Sequence, residues 1–180
     1  MAPLPIAVVF FLTGVAVWAN GLYFLGVGSK PAAEGGSDPI RAVGAITFVA
    51  GVSDFIQVFY LMNARPQPLG DAAALLAGLV VFYAGFFTLL GLCELFGFDL
   101  RPLGNVSFAV GVVPLAYWYF FSTGWMFRSI LIFWAVVFIA ITATTYGRFK
   151  PTWLGALLVA TAIYTFWLPA WILVYGRTIP

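Results

Sequence analysis

Residues 71–96 read DAAALLAGLVVFYAGFFTLLGLCELF. No side chain between Asp71 and Glu94 carries a charge, and as a helix rising about 1.5 Å per residue that interval is about 33 Å long. The hydrocarbon core of a bilayer is about 30 Å thick, so the segment reads as a membrane crossing. Five further stretches have the same character, and the spans fall near 5–27, 40–62, 71–96, 103–121, 125–146 and 152–175. The expected architecture is an all-α membrane protein, a single six-helix domain over residues 1–180, with nothing outside the lipid large enough to form a second one.

The connections carry the residues that stop helices. GSKPAAEGGSDPIR at 28–41 is a flexible loop, and NARPQPLGD at 63–71, FDLRPLG at 98–104, FSTG at 121–124 and GRFKPT at 147–152 are tight turns. Pro66, Pro68, Pro102 and Pro151 stand where a helix should end or begin. At the start, no basic residue precedes Lys30 and the apolar run continues to Val27, so the first stretch is expected to be a retained helix and not a cleaved signal. Basic residues fall 5 to 3 in favour of loops one, three and five (Lys30, Arg41, Arg101, Arg148, Lys150 against Arg65, Arg128, Arg177). Since Lys and Arg collect on the cytoplasmic side, both termini are expected outside.

Composition narrows the chemistry. Hydrophobic residues make up 63% of the chain and charged residues 8%, against about 25% charged in soluble domains. A net charge of +2 from scattered side chains gives no face for nucleic acid. The chain has no histidine and one cysteine, Cys93 inside the third span. That removes Ser-His-Asp triads, Cys-His pairs and His-rich metal sites, and no glycine loop for phosphates is visible. Neither an enzyme nor a cofactor is indicated.

Three polar residues lie where lipid should exclude them: Asn20 in the first span, Asp54 in the second and Glu94 near the inner end of the third. Asp54 reads either as part of an ion or proton relay or as a packing contact, with Gln57 one turn away or with a neighbouring helix. Glu94 and Asp54 sit toward opposite faces of the membrane. Ile6, Phe10, Thr13, Val17 and Asn20 follow a 4-3-4-3 spacing and share one helix face. Tyr83 and Phe87 are one turn apart, and Trp134, Val137 and Phe138 likewise share a face. Spacing alone leaves two readings open, the lining of something narrow or ordinary aromatic packing.

The segments GVAVWANG (14–21), FGFDLRP (96–102), NVSFAV (105–110), GVVPLA (111–116), FKPTW (149–153) and FWLPAW (166–171) resemble, in order and spacing over nearly the whole chain, the AmiS/UreI family of amide and urea channels. The resemblance implies six-helix protomers, each with a narrow pore, assembled as a hexameric ring with lipid in its central hole. Carried over by position, the pore aromatics fall on Tyr83, Phe87, Trp134 and Phe138 with Val137 between them, and the first-helix lining falls on Ile6, Phe10, Thr13, Val17 and Asn20. It further implies a neutral planar solute, urea or a short aliphatic amide such as acetamide or formamide, and a link to a cytoplasmic amidase or urease. Small residues such as Gly44, Gly51, Gly104 and Gly111 would let helices approach closely in such a ring.

The chain also departs from the acid-gated urea channels of gastric bacteria. It has no histidine, a short second loop, Thr161 where they have a glutamate on the last helix, and Phe138 where they have a second tryptophan. Acid gating near pH 6 is not expected, and the member resembled is AmiS-like. The expected function is a passive channel in the bacterial inner membrane. The alternatives are a proton-coupled carrier using Asp54 and Glu94, with Gln57 as further polar support, and a membrane scaffold that transports nothing.

Overall fold

The computed structural model describes residues 6–31, 35–67, 69–122 and 124–180, with Ile6 placed by its backbone alone. The expected lining role of the Ile6 side chain and the boundary role of Pro68 therefore lie outside the described residues. Six helices follow one another among the described residues. They are α1 (Ile6–Phe24), α2 (Ile40–Ala64), α3 (Ala72–Phe96), α4 (Arg101–Val112) with a 3-10 continuation (Val113–Trp118), α5 (Trp125–Thr145) and α6 (Pro151–Val174). All except α4 are long and apolar enough to cross a membrane, and the chain is a multi-pass membrane protein. Large apolar side chains such as Ile56, Phe59 and Val136 point outward, while exposed Trp125, Tyr146, Trp153 and Tyr175 stand at helix ends, where amphipathic rings suit a membrane–water boundary.

Successive helices pack on one another and α6 returns against α1, so the bundle closes on itself. Glycines set the closest approaches. A Cβ on Gly44 would lie 2.6 Å from the Leu95 nitrogen, one on Gly51 would strike Thr88, and one on Gly91 would strike the backbone of Phe48. These three bring α2 against α3. Gly14 and Gly21, both in GVAVWANG, face Trp167 and Val159, and with Gly155 they bring α1 against α6. Gly104 faces Thr145 and Gly111 faces Phe138, which seats α4 on α5. Gly44, Gly51, Gly104 and Gly111, expected to serve a ring of protomers, are thus spent on contacts inside one chain.

Two helices depart from the simple spans. The fourth, expected over 103–121, is α-helical only to Val112, because Pro114 has no N–H for the carbonyl of Val110 and its ring crowds that carbonyl; the chain tightens into the 3-10 turn and leaves it at Trp118. Side chains tie α4 to α5: Ser107 Oγ donates to the Phe138 carbonyl at 2.9 Å, and Thr142 Oγ1 donates to the carbonyls of Gly104 at 2.8 Å and Phe138 at 3.0 Å. In α6, a π segment (Ala162–Trp167) separates Pro151–Thr161 from Leu168–Val174. It lies immediately before the buried Pro169, and the Leu168 N–H reaches back five residues to the Ile163 carbonyl. The wider turn accommodates a proline that cannot donate and shifts the phase of the helix face.

Candidate functional site

The α1 stripe is buried as its spacing predicts: Phe10, Thr13, Val17 and Asn20 all face inward. It passes two cavities in turn. Phe10 and Thr13 border a cavity of about 290 Å³ near the end of the bundle that carries the termini, with walls from Leu76 and Leu79 at the start of α3, Phe127 and Ile130 at the start of α5, and Thr178 and Ile179 after α6. Val17 and Asn20 border a second cavity of about 250 Å³ toward the opposite end, with walls from Leu90 and Glu94 of α3, Leu103 of α4, Thr144 and Thr145 of α5 and Leu158 of α6. Tyr83, Phe87, Trp134 and Phe166 belong to both. They form an aromatic waist at which the cavities meet without merging.

Ring geometry shows how the waist is built. Tyr83 meets Trp134 edge-on with centroids 4.4 Å apart, and Trp134 stacks on Phe166 at 5.4 Å and 26°. Phe138 stacks on Tyr83 at 5.7 Å, and Phe10 approaches Phe166 edge-on at 6.5 Å. The Trp134 indole is held at its nitrogen, which donates to Thr165 Oγ1 at 2.8 Å; that hydroxyl donates to the Thr161 carbonyl at 2.9 Å. Val137, Phe138 and Thr161 line only the cavity away from the termini. Every expected lining residue whose side chain is described therefore borders one or both of the two cavities.

The intramembrane polar residues separate in the same way. Asp54, the sole α2 residue to reach either wall, lies in the termini-end cavity and accepts from Thr13 Oγ1 at 2.9 and 3.1 Å. Its contact is with the neighbouring helix and not with Gln57, whose Nε2 is buried without a partner and which lines neither cavity. Asn20 Nδ2 donates to the Ala16 carbonyl at 3.0 Å and to Thr47 Oγ1 at 2.9 Å. Glu94 lies in the other cavity, so the two carboxyls do stand toward opposite ends. Tyr83 Oη and Glu94 Oε2 are buried with no hydrogen-bond partner among the described residues, a costly state for a polar atom unless something else satisfies it. Among the described residues, neither cavity has a Lys or Arg in its wall. Outside the bundle, Arg101 pairs with Asp99 at 2.5 Å and its hydrogen bond holds that carboxyl down at about 2.

Thr165, Phe166 and Phe86 are missing from the sequence-derived set. Phe86 packs edge-on against Phe138 at 4.9 Å. Thr165 stands one turn after Thr161 and Phe166 opens the FWLPAW run; both lie in the π segment, whose wider turn brings Phe166, five residues after Thr161, to a wall that Thr161 also lines. Pro169 is the signal that would have found them.

No family model matches the chain, and no curated protein matches it by sequence. Solved structures do resemble it. The cryo-electron microscopy structure of the Helicobacter pylori urea channel in its closed state superposes with a TM-score of 0.76 at 15% identity, covering 97% of this chain and 100% of that one. The crystal structure of the urea channel from the same gastric pathogen gives 0.74 at 14% identity, covering 96% and 99%. The chain has the fold of those channels over essentially its full length.

Proposed function

We propose that the protein is a passive channel for urea and short-chain aliphatic amides, with the solute path running through the two cavities and the aromatic waist between them. One observation carries this: cavities toward opposite ends of a membrane-spanning bundle converge on a single ring-lined constriction. The fold shared with urea channels supports it. Ring faces accept a flat neutral molecule without strong directional bonds, so passage through Tyr83, Phe87, Trp134 and Phe166 favours planarity. The unpartnered Tyr83 hydroxyl can donate to a solute carbonyl and the Glu94 carboxyl can accept from an amide NH₂, which replaces part of the hydration that the solute gives up.

In this account α4 and its 3-10 continuation make the sixth crossing. Twelve α-helical and six 3-10 residues extend about 30 Å at about 1.5 and 2.0 Å per residue, the thickness of the hydrocarbon core. The setting is the bacterial inner membrane with both termini outside, where a homo-oligomeric ring, hexameric with lipid in its hole, would deliver solute to a cytoplasmic amidase or urease. Without histidine the channel is of the AmiS-like kind that is not gated by acid.

A proton-coupled carrier remains the second reading, because Asp54 and Glu94 each border a cavity. Uptake of acetamide into proteoliposomes with and without an imposed proton gradient separates the two. A channel equilibrates acetamide and stops, and Asp54→Asn keeps downhill flux of the same order, since an asparagine can still pair with Thr13. Accumulation above equilibrium that follows the proton gradient and disappears in Asp54→Asn would establish the carrier instead.

A further inference from the structure

Glu94 is the least explained group in the molecule. It is 4% exposed, and among the described residues its Oε2 has no partner and the 250 Å³ cavity that it borders has no basic residue in its wall. A carboxyl buried without a counter-charge or a full set of donors is unfavourable, and a small cation is one agent that supplies both. The other walls narrow the choice of cation. Phe24, Tyr83, Phe86, Phe87, Trp134 and Phe138 line the same cavity, with Tyr83 and Trp134 at the waist, about 16 Å along α3 from Glu94, and Phe87 two turns from it, and a ring face attracts a cation within about 6 Å by its quadrupole. Only one neutral side-chain carboxamide, Asn20, is present, and its NH₂ is committed to Ala16 and Thr47. The vacancy is therefore for donors and positive charge, in a space walled by flat apolar surfaces.

We propose that the cavity lined by Glu94 is a binding site for small planar cations of the guanidinium and amidinium class. Such an ion offers a fork of N–H donors to the carboxyl, as an arginine head does to Asp or Glu, and its faces stack on the rings. Sodium or a tetraalkylammonium ion lacks either the donors or the flat shape. Asp54 is not left open in the same way: the single Thr13 hydroxyl proton is shared between its two oxygens, and among the described residues neither oxygen is buried without a partner. Urea has nearly the shape of guanidinium without the charge, so comparing the two isolates the contribution of Glu94.

The site needs the cavity but not transport, and equilibrium binding tests it independently of the channel function. Guanidinium chloride and urea are titrated at millimolar concentrations and constant ionic strength into the purified full-length protein in nanodiscs, with tryptophan fluorescence as the readout. Guanidinium is expected to saturate about tenfold lower than urea, a 1.4 kcal/mol advantage, with sodium and tetramethylammonium giving no saturable signal. Glu94→Gln should bring guanidinium and urea together, Glu94→Asp should restore part of the difference, and Asp54→Asn should keep it. Equal saturation by guanidinium and urea in the native protein, or a preference that survives Glu94→Gln, overturns the proposal. So does competition by tetramethylammonium as strong as by guanidinium, which needs no variant. Guanidinium binding with no solute flux would remove the channel function and leave this site standing.

Discussion

Trp134→Ala is expected to turn a selective constriction into an open one. Trp134 touches Tyr83 at 4.4 Å and Phe166 at 5.4 Å, and it belongs to the walls of both cavities. Deleting the indole removes the partition between them, so glycerol and butyramide should pass at rates approaching that of urea. Thr165 Oγ1 loses its donor at the same time. The stability cost should be smaller than the about 3–5 kcal/mol of a Trp→Ala change in a closed core, because the side chain already faces open volume. Flux of each solute into proteoliposomes, beside a thermal unfolding measurement, distinguishes the outcomes. A variant that loses stability but keeps the native solute ratio would show that these rings are packing and nothing more.

The second large effect concerns assembly of the bundle. Gly91→Val puts a Cβ against the Phe48 nitrogen and 2.6 Å from its Cα, and two helix backbones cannot yield as a side chain can. Overpacking of this kind costs about 1–3 kcal/mol and often more, and α2 should separate from α3, with little protein recovered in monodisperse form. Gly85→Ala on the same helix is the control. A Cβ there meets nothing within 4 Å, so it should be neutral or stabilising through helix propensity. Equal behaviour of the two variants in size-exclusion profile and melting temperature would contradict the packing described above.

Long apolar runs and helix-stopping residues made five of the crossings legible in sequence, since length and composition alone determine them. The α1 stripe was legible for the same kind of reason. A regular helix carries a 4-3-4-3 pattern on one face, and Phe10, Thr13, Val17 and Asn20 all face inward. Where the helix is irregular, periodicity loses the phase: Thr165 and Phe166 lie in the π segment before Pro169 and escaped notice. Partners were harder to read than positions. Thr13 and Asp54 each stood out, yet their pairing across α1 and α2 depends on the relative depth of the two helices, which neither segment shows by itself. Small residues announce close approach without saying to what, which is why glycines expected between protomers proved to lie within one. The division of the interior into two cavities with a shared waist is a property of six helices together and has no local sequence signature.

On the proposed function, small planar neutral solutes cross the membrane through this waist. Stopped-flow light scattering of liposomes containing the purified protein, challenged in turn with urea, acetamide, formamide and glycerol, tests it directly. The expected result is rapid re-equilibration of one or more of the planar solutes, well above protein-free liposomes and without any imposed proton gradient, while glycerol stays near the protein-free rate. Rates for all four solutes indistinguishable from protein-free liposomes, or glycerol as fast as urea and the amides in the native protein, would contradict it.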